Sequence, residues 1–109
     1  MSLTRHHKIV RDKIPDIIAA RGAKVEHRIM PVDDFARLLR QKMVEESQEV
    51  VDAKTYEEMV AELGDVLDVI AALQHVVGIP DDMLVEARQK KNAERGGFEK
   101  RIFLESVEE

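Results

Sequence analysis

Two apolar stripes at helical spacing, each interrupted by carboxylates, constrain this chain more than any other feature. One runs through Phe35, Leu38, Leu39, Met43, Val50 and Ala53. The other runs through Met59, Leu63, Val66, Ile70, Leu73 and Val77, widened by Val69 and Val76. Steps of three and four residues set such positions on one face of an α-helix. An advance of about 100° per residue puts Glu46 near the middle of the first stripe, with Glu49 and Lys42 inside it and Glu45 at its edge. Glu62 falls within the second stripe and Asp65 on its margin. A carboxylate turned toward apolar surroundings is costly unless its charge is compensated.

Four helices are expected. The first opens near Ile14-Pro15, with Asp12 as its cap and Gly22 as its stop. The second spans about Asp34 to Ala53, capped by Asp33. The third begins at the capping box Thr55-x-x-Glu58 and ends at Gly78. The fourth follows Ile79-Pro80-Asp81 and runs to about Arg95, where Gly96-Gly97 stops it. Gly64, inside the third helix, costs roughly 1 kcal/mol against alanine and leaves room for a close approach. Val25–Met30 and Phe98–Leu104 read as extended, and they are candidates to pair as a small two-stranded ribbon. The fold class is therefore all-α.

A chain of 109 residues predicts one domain, 1–109, with a thin core that a subunit interface would complete. Aromatics are only 4% of the chain, so the core is aliphatic, which suits closely packed helices. A net charge of -5 argues against a nucleic-acid polymer as partner, since such binders carry a basic stripe. With no cysteine, disulfides and thiolate metal sites are excluded. Nothing approaches the roughly 20 apolar residues needed to span a bilayer, and no signal-peptide core is present. The expected compartment is the cytoplasm, without a membrane partner.

Most glutamates on helices are simply solvated. Glu57 and Glu58 illustrate that ordinary use: in a first helical turn they complement the macrodipole and complete a cap. Glu46 and Glu49 differ because they interrupt an apolar stripe and share a face at i, i+3. Glu62 and Asp65 repeat that spacing on the next helix. A short turn would bring the two pairs together. Asp68 continues the series but points away from the apolar face, which suits a surface or supporting role.

An all-oxygen cluster suits Mg²⁺, Mn²⁺ or Ca²⁺. The EF-hand loop pattern is missing, which lowers the calcium-sensor reading. A carboxylate-bridged di-iron bundle requires Glu-x-x-His on two helices, and both clusters here have an acid at the +3 position. Magnesium typically shares its shell with substrate phosphates. Lys8, Arg11, Lys13, Lys91 and Arg95 are candidate cations for neutralising them. There is no Gly-rich phosphate loop, since Gly96-Gly97 lacks the GxxxxGK[ST] frame.

Glu45-Glu46-x-x-Glu49 followed by Glu62-x-x-Asp65 on the next helix resembles the all-α nucleoside triphosphate pyrophosphohydrolases. That superfamily includes the MazG proteins, the dimeric dUTPases and phosphoribosyl-ATP pyrophosphohydrolase. Lys8-Ile-Val-Arg-Asp-Lys-Ile-Pro-Asp-Ile-Ile18 is similar to the opening of a compact MazG-like subgroup, and Lys91-Asn-Ala-Glu-Arg-Gly-Gly-Phe98 to its closing motif. The likeness covers most of the chain from Lys8 to Leu104.

The resemblance implies Mg²⁺-dependent hydrolysis (Mn²⁺ as substitute) between the α- and β-phosphates of a nucleotide, giving a monophosphate and pyrophosphate. It implies Glu46, Glu49, Glu62 and Asp65 as metal ligands, with Glu45 assisting. Arg11, Lys13, Lys91 and Arg95 would contact phosphates. Glu45 and Glu49 are the two candidates for the catalytic base. A MazG-like bundle completed as a homodimer or homotetramer is the implied assembly. Two alternatives stay open: phosphoribosyl-ATP hydrolysis in histidine synthesis, and a non-catalytic helical dimerisation module.

Overall fold

The computed structural model describes residues 2–109, which hold four helices and no strand. They are α1 (Ile14–Ala20), α2 (Val32–Asp52), α3 (Tyr56–Val77) and α4 (Asp81–Arg95). The chain divides into two compact units, Met1–Gly78 and Ile79–Glu109.

In the first unit, Pro15 sits in the opening turn of α1, where its missing N–H costs nothing. The expected Asp12 cap does not form. Lys13 holds the capping position with an already helical backbone, and Ile14 N–H donates to the Arg11 carbonyl at 3.1 Å. A backbone turn thus leads into the helix in place of a side chain. Gly22 follows the last turn at φ +86 and donates its N–H to Ala19 O at 2.9 Å, a conformation that favours glycine. Helix α2 also starts earlier than its pattern suggests. Pro31, at φ -56 and ψ 146, is the cap, and its carbonyl accepts from Phe35 N at 3.0 Å. Asp33 lies inside the first turn and complements the macrodipole there.

Ala53, Lys54 and Thr55 fold α3 back against α2 as a helical hairpin. The capping box is made in modified form. Thr55 Oγ1 accepts from Glu58 N–H at 3.1 Å, while Glu58 Oε2 accepts from Lys54 N–H, one residue before the cap, at 2.7 Å. Gly78 ends α3 in the left-handed region at φ +77.

Leu39 of α2 and Val69 of α3 are the buried core, 3% and 5% exposed. The packed face of α3 is rotated from the one its stripe suggests. Val69 lies at its centre, with Glu62, Asp65, Val66, Ile70, Leu73 and Val76 half-buried around it. Met59, Leu63 and Val77 are exposed instead. Helix α3 is apolar over more than one edge, and α2 covers only one of them. On α2 the packed face runs Leu39, Met43, Glu46, Val50, so Glu46 is half-buried while Glu45 and Glu49 are exposed.

The second unit consists of α4 and the tail. Asp81 and Asp82 occupy the first turn of α4 and Arg95 the last, which matches the helix dipole at both ends. The suggested ribbon is not formed. Phe98–Leu104 is broken by a turn in which Arg101 N–H donates to Phe98 O at 3.2 Å and Arg101 takes φ +55. Val25–Met30 has no ladder either. No helix among the described residues is long and apolar enough to cross a membrane.

Candidate metal centre

The hairpin turn places Glu46 and Glu62 at comparable distances from the bend, on facing helices. Glu46, Glu62 and Asp65 each bring a carboxylate oxygen into one group, all within 4.8 Å of one another. All three are half-buried. Three carboxylates this close repel unless a cation or proton intervenes. Glu62 records the strain: its pKa is raised above the usual glutamate value, first by burial, then by the charges of Asp65, Glu49, Glu46 and Glu58. The donor set is all oxygen and hard, so it fits a hard divalent cation.

Glu49 stands outside the group of three. It is exposed, one turn from Glu46, yet close enough for its charge to act on Glu62. The reason is angular: the packed face of α2 passes through Glu46 and Val50, and Glu49 falls beside it. Glu45 is exposed and lines a small pocket with His7, Lys8, Ile9, Leu38, Gln41 and Lys42.

Two cations touch the cluster. Lys42 Nζ lies 3.2 Å from Glu46 Oε1, one helical turn away on α2. Arg11 reaches α3 from the segment before α1. Its Nη2 donates to Asp65 Oδ1 at 2.8 Å and its Nη1 to Asp68 Oδ2 at 2.7 Å. These pairings raise the Arg11 pKa, with Asp68 the larger contributor. Lys42 lies on the apolar stripe of α2, and its i, i+4 spacing to Glu46 is the sequence signal for this contact. The contact between Arg11 and Asp68 had no signal, because 57 residues separate them.

Of the other expected phosphate contacts, Lys13 is exposed at the cap of α1. Lys91 and Arg95 belong to the second unit, on α4. There Lys91 lines an open groove with Arg88, Asn92 and Phe98, and the Phe98 ring is almost wholly exposed.

The hairpin sets facing carboxylates where they can share a divalent cation, and a family match places the chain among the MazG-like nucleotide pyrophosphohydrolases. The family model for phosphoribosyl-ATP pyrophosphohydrolase matches residues 13–92, most of the chain, and the protein belongs to that family. The matched span contains both acidic motifs and stops before the Gly96-Gly97-Phe98 segment. No curated protein and no solved structure matches.

Proposed function

We propose that this chain is a Mg²⁺-dependent pyrophosphohydrolase that cleaves a nucleoside triphosphate between its α- and β-phosphates, removing surplus or aberrant nucleotides. The observation that carries the reading is the convergence of Glu46, Glu62 and Asp65 oxygens within 4.8 Å across the hairpin. Glu46, Glu62 and Asp65 would hold the cation, and Glu49, one turn from Glu46, would be a further ligand. A divalent cation held there would supply neutralisation of phosphate charge and activation of the attacking water. Glu49 or Glu45 accepts the proton as water attacks. The phosphoanhydride bond breaks, and pyrophosphate leaves as the nucleoside monophosphate is completed by the water oxygen. Arg11 and Lys13, in the same unit as the carboxylates, would meet the phosphates, where guanidinium and ammonium groups offset charge on the transferring group.

The matched family's description names a second substrate, phosphoribosyl-ATP, and the match does not choose between the two. The same carboxylates serve either substrate, because the bond and the metal requirement are alike. Phosphorus NMR of the products, with ATP, deoxynucleoside triphosphates, oxidised triphosphates and phosphoribosyl-ATP offered in turn, separates the two. Pyrophosphate from triphosphates at the higher kcat/KM supports the proposal. Turnover of phosphoribosyl-ATP alone supports the second reading, and orthophosphate as first product contradicts both.

We further propose that the hairpin is completed by a second copy of the chain, as a homodimer or a pair of dimers. The support lies on the uncovered edge of α3, where Val60, Leu63 and Leu67 recur at helical spacing and remain exposed, Leu67 at 64%. Val44 and Val51 add an exposed pair seven residues apart on α2. Two such hairpins packed together form a four-helix core and remove those faces from water. The compartment proposed is the cytoplasm, where nucleotide substrates are found.

A further inference from the structure

We propose that Asp68 is a positioning residue: it holds Arg11 at the edge of the carboxylate cluster, so that the guanidinium faces substrate phosphate and does not displace the cation from Asp65. The proposal rests on the pyrophosphohydrolase reading of this site.

Arg11 lies in a segment without regular secondary structure, two residues before the cap of α1. It spans two acceptors three residues apart on α3, Asp65 and Asp68, which therefore share a face. The three side chains are 57%, 42% and 62% exposed. Ion pairs this open to water add little to folding stability. Their effect is on position, since one guanidinium is pinned at two points and loses its freedom to wander.

Asp65 has two duties that compete. It belongs to the group of three carboxylates, and its Oδ1 accepts from Arg11. A carboxylate has two oxygens and can serve both partners, provided the arginine does not claim the whole charge. Asp68 supplies the second counter-charge, and its bond to Arg11 is the shorter of the two. Without Asp68, the guanidinium has only Asp65 to lean on, and it becomes a direct rival to a bound cation. With Asp68 present, two of the five N–H groups are engaged, and three remain for phosphate oxygens. Arg11 precedes residues 13–92, so the family match does not reach this pairing.

The test uses the full chain as parent, Asp68→Asn, Asp68→Glu, Arg11→Ala and the Arg11→Ala/Asp68→Asn double variant. Circular dichroism confirms that each is folded. Two readouts are taken: kcat and KM for pyrophosphate release from ATP or phosphoribosyl-ATP, whichever the parent turns over faster, and Mn²⁺ affinity by titration calorimetry without nucleotide. Asp68→Asn is expected to raise KM on the order of tenfold with a smaller change in kcat, and to weaken Mn²⁺ binding by a similar factor. Asp68→Glu restores most of both. In the Arg11→Ala background, Asp68→Asn adds little to either. The proposal is overturned if folded Asp68→Asn binds Mn²⁺ like the parent, or if its full effect persists without Arg11. A parent with no turnover would remove the functional reading, while the Mn²⁺ cycle would still decide whether Asp68 acts through Arg11.

Discussion

Glu46 on α2 and Glu62 on α3 bring carboxylate oxygens within 4.8 Å of each other across the hairpin, although 16 residues of chain separate them. Neither side chain is fully wet, so each feels the other through a medium less screening than bulk water. Neutral isosteres therefore remove function while easing repulsion. Glu46→Gln, Glu62→Gln and Asp65→Asn should each lower kcat/KM by at least on the order of 100-fold, with helicity unchanged. Steady-state pyrophosphate release beside far-UV circular dichroism checks this. Retention of parental rates by any of the three would remove that residue from the metal set.

The raised pKa of Glu62 predicts a particular pH dependence of stability. Between the ordinary glutamate pKa and the raised folded value, the folded chain keeps a proton that the unfolded chain has released. The native state then binds more protons, so stability falls as pH rises through that window. Glu62→Gln removes the effect. Metal-free parent protein should lose melting temperature relative to Glu62→Gln as pH is raised through that window. Calorimetric scans across that range would show the curves diverging; parallel curves would mean that Glu62 is an ordinary surface acid.

Leu39 is the most buried apolar side chain among the described residues, at 3% exposure. Leu39→Ala leaves a cavity where α2 and α3 meet and should cost about 2–5 kcal/mol in chemical denaturation. Arg40→Ala, at an exposed position on the same helix outside the proposed subunit face, serves as a reference. If the Leu39 variant unfolds at the parental midpoint, the packing described here is not the core of the protein in solution.

Exposed Leu67 tests the assembly instead of the hairpin. A charge introduced into a buried subunit interface is strongly unfavourable, whereas on a free surface it is nearly neutral. Leu67→Glu should shift the protein toward monomer in light scattering, with activity lost in parallel. An unchanged oligomer would place the subunit contact on another face.

The helices and their carboxylates were legible because both depend on local spacing. The Thr55–Glu58 cap and the Gly78 stop follow from chemistry within one turn. Glu46 and Glu62 were legible as core-facing acids because a charge on an apolar stripe is visible to a 3.6-residue period. The orientation of the α3 face was not legible, since Leu63 and Val69 are equally apolar and only the partner helix decides which is covered. For the same reason Glu49, placed inside the stripe by periodicity, is exposed. Caps at Asp12 and Asp33 were plausible residue types, but backbone turns at Lys13 and Pro31 took their place. The bridge from Arg11 to Asp65 and Asp68 depends on how a segment without regular structure returns to α3, and no local pattern encodes that.

The most direct measurement is pyrophosphate release from nucleoside triphosphates and phosphoribosyl-ATP by the purified protein, with Mg²⁺ titrated in and then chelated. The Glu46→Gln variant is run beside the parent. A metal-dependent pyrophosphohydrolase should give release that saturates with Mg²⁺, stops on chelation and collapses in the variant. Release that ignores the chelator, or that survives intact in Glu46→Gln, would contradict the metal centre on which the account rests.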